Sequence, residues 1–82
     1  GRARFETGEL LIEVMRGGRR GVATVRLLKG EATVATLSAG VVSRISTGTY
    51  AVEVESRGEK RRFDGVTILS TERRTIAVDF GK

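Results

Sequence analysis

The sequence predicts an all-β protein, folded as an antiparallel sandwich or barrel of about seven strands. Apolar and polar residues alternate along most of the chain, which is the pattern of strands that bury one face. Clusters rich in glycine, serine and charged residues interrupt the alternation roughly every ten residues, as turns between antiparallel strands do. No segment keeps a helical apolar stripe over several turns, so we expect no long helix.

The first three predicted strands cover 9–15, 22–28 and 32–37, with the sequences ELLIEVM, VATVRLL and ATVATL. The segment RGGRRG separates the first two strands, and its glycines suit a tight hairpin turn that displays arginines. We interpret it as a hairpin connection. A dedicated binding loop is the alternative, because a partner-binding loop would have the same composition.

The middle of the chain holds the clearest strand, 49–55 with the sequence TYAVEVE, and a shorter one precedes it at 41–45. Tyr50, Val52 and Val54 are predicted to point inward, while the residues between them face solvent. Gly48 supplies the backbone freedom needed at the sharp start of this strand. Tyr50 can bury its ring while its hydroxyl reaches back to the loop backbone, and a ligand contact is its alternative role.

The last two predicted strands cover 61–69 and 75–80. Apolar residues alternate with polar ones in the final strand as well, so that its even-numbered positions should face inward. The strands together predict a core that consists of Leu10, Ile12, Val14, Val25, Leu27, Val34, Ile45, Tyr50, Val52, Val54, Phe63, Ile68, Ile76, Val78 and Phe80.

The length favours a single domain, which we expect over residues 8–82 after a flexible N-terminal segment, residues 1–7. The longest apolar run, Leu10–Ile12, is too short to span a bilayer, so no membrane span is expected. Cysteine is absent, which removes disulfides and thiolate metal sites and leaves the cellular compartment open. The chain opens at Gly1, as a module of a longer protein or a processed product would.

The composition argues against catalysis. Histidine is absent, and no serine or threonine lies beside an evident general base. Glu53 and Glu55 share one predicted strand face and are interpreted as solvent-facing rather than as a pair of glycosidase carboxylates. The sequence also lacks the clustered aspartates that calcium prefers. We therefore predict no enzyme activity, no metal site and no cofactor.

The chain is basic, with a net charge of +5. Three clusters are candidates for contacts with a polyanion or a protein partner, and they comprise Arg16, Arg19, Arg20, Lys60, Arg61, Arg62, Arg73 and Arg74. If the clusters converge on one edge, they would attract phosphates, sulfated glycans or anionic lipid head groups. Alternatively, they form a solvated surface that keeps sheet edges from pairing. Sequence-specific reading of nucleic acid is not expected, because asparagine and glutamine are absent and only Phe5 is free to stack on a base.

Three short motifs follow one another in the second half of the chain: GTY at 48–50, GVT at 65–67 and VDF at 78–80, with Glu72 before the last strand. In this order they resemble the carboxypeptidase-regulatory-like and PEGA-like β-sandwich modules of bacteria. Those modules usually show a PGTY corner, a GVTV segment, a GET turn and a final V-D-F. Two positions depart from the pattern, since Thr47 stands where a proline is common and Ser70–Thr71 where a glycine is common.

The resemblance spans roughly residues 8–80 and implies an antiparallel Greek-key sandwich, immunoglobulin-like or transthyretin-like in topology. It implies a non-catalytic accessory module of a larger bacterial surface, secreted or envelope protein, acting as a spacer or a protein-interaction domain. Its partners would be neighbouring domains of the parent chain or a docking protein, and its location extracytoplasmic or in the cell envelope. The alternative function is a module that binds polyanions non-specifically through its arginine-rich loops. The oligomeric state stays open.

Overall fold

The computed structural model describes residues 6–81, which form two β-sheets packed face to face. This confirms the prediction of an all-β sandwich. Residues 1–5 and 82 lie outside the described part, and with them most of the predicted flexible segment 1–7 and the predicted stacking residue Phe5. The first strand starts at Thr7, one residue before the predicted start of the sandwich domain.

In the described part of the chain, eight strands make up the two sheets. They are β1 (Thr7–Arg16), β2 (Arg19–Arg20), β3 (Thr24–Lys29), β4 (Ala32–Ser38), β5 (Ser43–Ser46), β6 (Gly48–Ser56), β7 (Glu59–Ile68) and β8 (Arg73–Asp79). All seven predicted strands are present, and the additional strand is β2, which has two residues and lies within RGGRRG. The predicted strands at 22–28 and 41–45 begin two residues late, so that Val22, Val41 and Val42 are exposed.

The first sheet is built around β1, which pairs with β8 on one side and with β5 and β2 on the other. The second sheet has the order β4-β3-β6-β7 and is antiparallel throughout. One pairing departs from the predicted antiparallel arrangement, because β1 and β8 run parallel over seven residue pairs. Alternation of side chains is the same in parallel and antiparallel strands, so the sequence pattern carries no information on this direction.

RGGRRG does form a hairpin turn, but between β1 and the short β2. Arg16 pairs with Arg19 across a two-residue turn in which Gly17 and Gly18 both have positive φ, as in a type I′ turn. The chain then crosses to the second sheet, where β3 begins at Thr24. The predicted hairpin joined the strands 9–15 and 22–28. This prediction is wrong for the second strand, because β1 and β3 lie in different sheets and the hairpin partner of β1 is β2.

Within residues 6–81, the core lies between the two sheets and contains fourteen buried apolar residues. Twelve of them belong to the predicted core, namely Leu10, Ile12, Val14, Val25, Leu27, Ile45, Tyr50, Val52, Val54, Ile68, Val78 and Phe80. Phe63 and Ile76 are partly buried and pack against this core. Ala23 and Val66 are buried although they were not predicted, and Val34 was predicted to be buried but is 52% exposed.

Two β-bulges explain the differences in β4 and β7. In β4, Leu27 faces Ala35 whereas Leu28 faces Thr33, so Val34 is an extra residue without a partner. Ala35 therefore faces the core in place of Val34. In β7, Val66 faces Tyr50 and Phe63 faces Val52, so three residues of advance along β7 lie opposite two along β6. The resulting bulge contains Gly65, whose φ is 67°.

The turn between β7 and β8 holds a threonine in a conformation that favours glycine. Thr71 has a φ of 62°, which is an outlier for a β-branched residue, and Glu72 N donates to Leu69 O across the turn at 3.3 Å. Thr71→Gly is expected to stabilise the fold by about 1 kcal/mol, because relief of the strain outweighs the added freedom of the unfolded chain. Urea unfolding would measure the change in free energy. Ser70→Gly is the matched control. If Ser70→Gly stabilises the fold as much as Thr71→Gly does, backbone strain at Thr71 is not the cause.

Candidate functional site at the arginine end

The sandwich has two ends that differ in charge, and the direction of the strands determines which residues lie at each end. One end contains the β1–β2 turn, the β6–β7 turn and the last residues of β8, and we call it the arginine end. Arg16 pairs with Glu59 there at 2.8 Å, and Gly17 N donates to Gly81 O. We call the opposite end the N-terminal end. There Thr7 O accepts a hydrogen bond from Thr71 N, and Glu6 O accepts one from Thr47 N.

The structure brings two of the three predicted basic clusters together and leaves the third apart. Arg16, Arg19 and Arg20 lie at the arginine end, and Lys60–Arg62 begin β7 next to Glu59 at the same end. Arg73 and Arg74 begin β8 at the N-terminal end, where Arg73 is opposite Glu9. Glu9 and Arg16 are separated along β1 by about 23 Å of extended strand. The clusters therefore do not form one continuous patch.

Arg16 and Arg61 close the core at the arginine end. Both continue inward-facing rows, Arg16 after Val14 in β1 and Arg61 opposite Val54 in the second sheet. Their guanidinium carbons lie 5.1 and 4.9 Å from the ring centroid of Phe80, within the range of cation–π attraction. The Arg16 side chain is only 16% exposed, and one of its N–H groups donates to Ser56 O. Arg16 is thus used by the fold and is poorly placed to contact a partner.

A substitution at Arg16 tests this structural role. Arg16→Ala is expected to lower the free energy of unfolding by about 1 to 2 kcal/mol, because it removes the contact with Phe80, the ion pair with Glu59 and the packing of its alkyl chain. Arg20→Ala removes the same charge from an exposed position and should change stability by less than about 0.5 kcal/mol. Thermal or denaturant unfolding of both variants measures the difference, and equal effects would show that Arg16 has no such role.

Ion pairs neutralise the basic residues on the outer face of the second sheet. The face carries three cations and three carboxylates, namely Arg26, Lys60, Arg62, Glu53, Glu55 and Asp64. Arg26 Nη1 lies 3.3 Å from Glu53 and 3.2 Å from Glu55. Arg62 Nε lies 3.0 Å from Asp64, and Lys60 Nζ lies 4.0 Å from Glu53. Exposed pairs of this kind contribute little to stability, but they leave this face without surplus charge.

Opposite charges also balance at the N-terminal end. Arg73 Nε donates to a carboxylate oxygen of Glu9 at 3.1 Å. The four cations of this end are matched by four carboxylates, and the full set is Lys29, Arg44, Arg73, Arg74, Glu6, Glu9, Glu31 and Glu72. Neither the outer face of the second sheet nor the N-terminal end therefore accounts for the positive charge of the domain.

The surplus charge is concentrated at the arginine end. Twelve of the fifteen cations and all ten carboxylates lie within residues 6–81, which leaves a net charge of +2 for the described part. Apart from Lys60 and Arg62, whose charges are balanced on the outer face of the second sheet, the arginine end holds five cations and two carboxylates, namely Arg16, Arg19, Arg20, Arg57, Arg61, Glu59 and Asp79. The remaining carboxylate of the described part is Glu13, in the middle of β1. Arg57 was not among the predicted contacts, although it lies in a glycine-containing turn cluster of the sequence, SRGE at 56–59. Among the described residues, Arg19, Arg20 and Arg57 are exposed and form no ion pair.

Two clefts of the described surface are small. A cleft of about 180 Å³ borders Arg20 and Gly21 along β1, and one of about 280 Å³ borders Arg44 and Thr71 at the N-terminal end. Both volumes lie below the roughly 300 to 1,000 Å³ of typical small-molecule sites. Within residues 6–81, acidic side chains form no cluster of three that could hold a metal ion. That same part of the chain contains no helix long and apolar enough to cross a bilayer.

Among known protein families, no family model matches the chain. No curated protein is similar enough to count as a relative. The resemblance to carboxypeptidase-regulatory-like and PEGA-like modules therefore remains a prediction from three short motifs. Two of these motifs have a structural role in the fold, since Gly48 with a φ of 150° begins β6 and Gly65 forms the bulge of β7.

Proposed function

We propose that this domain is a non-catalytic accessory module that acts as a spacer between the segments attached to its two ends. One observation carries the proposal: the described chain enters the sandwich at the N-terminal end and leaves it at the arginine end. β1 begins at Thr7, and the parallel β8 finishes beside Met15 at the far end of β1. A strand of ten residues spans about 33 Å, so each copy would separate its neighbours by about that distance.

Both ends of the described chain are anchored, as a spacer requires. At the N-terminal end, Glu6 O accepts a hydrogen bond from Thr47 N at 3.0 Å and Glu9 N donates to Glu72 O at 2.9 Å. At the arginine end, Phe80 N donates to Met15 O at 2.9 Å. Rigid attachment at both ends transmits a defined distance, whereas a flexible linker would not. A bacterial surface, secreted or envelope setting is suggested only by the resemblance and belongs to the same proposal.

X-ray scattering of a fusion protein tests the spacer. Two small folded reporter domains are fused directly before Glu6 and after Gly81, and their separation is measured with one and with two copies of the module. We expect a narrow distribution of separations that lengthens by about 30 Å with the second copy. In the control, a glycine–serine linker of equal residue number gives a broad distribution. An equally broad distribution from the module would contradict the proposal.

A second candidate function, the binding of polyanions, is favoured by the charge surplus at the arginine end. Arg19 and Arg20 directly follow the β1–β2 turn, Arg57 lies on the β6–β7 turn, and none of the three has a carboxylate partner among the described residues. Arginines on tight turns can approach phosphate or sulfate groups with little steric hindrance, and binding would weaken as the salt concentration rises. Arg16, which sequence analysis placed in this site, is occupied by Glu59 and Phe80.

Retention on a heparin column distinguishes a localised site from dispersed charge. The test variant carries Arg19→Ser, Arg20→Ser and Arg57→Asn, with asparagine chosen because it tolerates the φ of 51° at position 57. The control variant carries Arg44→Ser, Arg73→Ser and Arg74→Ser and loses the same charge at the other end. We expect the test variant to elute at clearly lower salt than the control. Elution of both at the same salt concentration would refute a polyanion site at the arginine end.

A further inference from the structure

We propose that the parallel ladder between β1 and β8 is a mechanical clamp, which makes the domain resist force applied along its length. The inference rests on the proposed spacer function, because only a module tethered at both ends is pulled in this direction. It goes beyond that function, since a spacer needs to hold a distance but does not need to withstand a load.

The direction of the two strands determines how force reaches the ladder. A pull on the chain before Thr7 draws β1 toward the N-terminal end, while a pull on the chain after Phe80 draws β8 toward the arginine end. The two strands are therefore displaced in opposite directions along their shared axis. Hydrogen bonds of a parallel pair are evenly spaced along the strands, so this displacement loads all of them together. Strands that are peeled apart from one end lose their hydrogen bonds one after another.

The ladder is continuous over the length of the sheet. Seven residue pairs run from Glu9–Arg73 to Met15–Asp79. Hydrogen bonds of 2.9 Å extend it at both ends, from Glu9 N to Glu72 O and from Phe80 N to Met15 O. β7 and β8 lie in different sheets, and β8 pairs with no strand other than β1 within the described residues. The attachment of β8 to β1 is thus the contact through which the load passes.

The other partners of β1 prevent it from moving with β8. β5 pairs with its first residues, from Thr7–Ser46 to Leu10–Ser43, on the side opposite to β8. Further along, Ile12 O accepts from Gly40 N and Val14 O accepts from Gly21 N, both at 2.8 Å. β1 is consequently fixed to the body of the sandwich along its whole length, and β8 must slide past it.

Phe80 opposes this sliding. It occupies the last inward-facing position of the described chain, and its side chain is buried with Arg16 and Arg61 against the ring. A shift of β8 toward the arginine end would carry Phe80 and Val78 out of the core before the ladder could reform in a new register. The apolar packing of β8 and its hydrogen bonds with β1 are therefore lost in the same step.

Single-molecule force spectroscopy in two pulling geometries tests the clamp. In the first geometry, the handles are attached to the N and C termini, which loads the ladder in shear. In the second, one handle is attached to Arg19→Cys and the other to the C terminus, which peels β8 from the arginine end. The introduced thiol is unique because the chain has no other cysteine. We expect a several-fold higher unfolding force in the first geometry, and equal forces would overturn the proposal.

A matched pair of variants separates mechanical from thermodynamic stability. Val78→Ala and Val54→Ala delete the same atoms from buried positions, the first inside the clamp and the second in the second sheet. Both should lower the unfolding midpoint in urea to a similar extent, while only Val78→Ala lowers the end-to-end unfolding force. Equal losses of force would refute the clamp. A narrow distance distribution in the scattering experiment combined with equal forces would refute the clamp and leave the spacer intact.

Discussion

Replacing Gly8 with alanine is expected to lower the free energy of unfolding by about 3 kcal/mol, a large part of the stability of a domain of this size. Gly8 lies in β1 directly beneath the β7–β8 turn. A Cβ atom at this position would lie 2.8 Å from Ile68 Cγ2, 3.0 Å from Glu72 O and closer still to Leu69 O. Two of these three atoms belong to the backbone, so no rotation of a side chain can relieve the contact.

The required property of Gly8 is its lack of a side chain rather than an unusual φ. The turn packs on β1 through the hydrogen bonds of Thr7 O with Thr71 N and of Glu9 N with Glu72 O, which leaves no space above Gly8. Gly30→Ala is a suitable control, because Gly30 has a positive φ but open space where the methyl group of alanine would lie. It should cost about 1 kcal/mol. Urea unfolding compares the two, and a Gly8→Ala variant no less stable than Gly30→Ala would contradict this close approach.

Tyr50→Ala is expected to destabilise the domain by about 3 to 5 kcal/mol, as the loss of a buried aromatic ring usually does. The ring is 6% exposed, and the hydroxyl donates to Ser46 O at 2.8 Å. Lys29 Nζ lies 5.4 Å from the ring centroid, so the substitution also removes a cation–π contact.

Tyr50→Phe separates the two roles of Tyr50. It keeps the ring and deletes the hydroxyl, so it should cost only about 1 kcal/mol. Calorimetric or urea unfolding of both variants gives the two differences in free energy. An alanine variant as stable as the phenylalanine variant would show that the ring does not hold the sheets together.

The sequence predicted the local features of the strands well where alternation was uninterrupted. In β6, Tyr50, Val52 and Val54 are buried as expected, and the hydroxyl of Tyr50 does reach back to the preceding backbone, at Ser46 where β5 ends. Here one strand face is apolar over several positions, and a shift by one residue would expose all of them. The register was therefore determined by burial alone.

The predicted core was wrong at Val34 of β4 and missed Val66 of β7, and in both strands an extra residue changes the phase of the alternation. In β7, Phe63 and Ile68 have opposite parity, and only the bulge at Gly65 lets both side chains face the core together with Val66. In β4, the bulge turns Val34 outward. Glycine at a bulge and glycine at a turn look alike in a sequence, and the bulge of β4 contains no glycine at all, so neither bulge could be placed in advance.

The predicted basic site failed in part because it depended on contacts between distant strands. Arg16 and Glu59 are forty-three positions apart in the chain, and their ion pair exists only because β1 and β7 meet at the arginine end. The separation of Arg73 from Arg16 follows from the parallel pairing of β8 with β1, which no alternation pattern predicts. The charge of a loop is visible in a sequence, but the carboxylates that neutralise it are not.

The distance between the two ends of the described chain tests the central claim most directly. Spin labels on Glu6→Cys and Asp79→Cys report it by pulsed electron paramagnetic resonance in the full chain, which has no other cysteine. Because β8 runs parallel to β1 and Asp79 lies beside Met15, we predict a narrow distribution centred near about 30 Å. Labels in close proximity would mean that β8 runs antiparallel to β1 and that the chain enters and leaves at the same end, which would contradict both the spacer and the clamp.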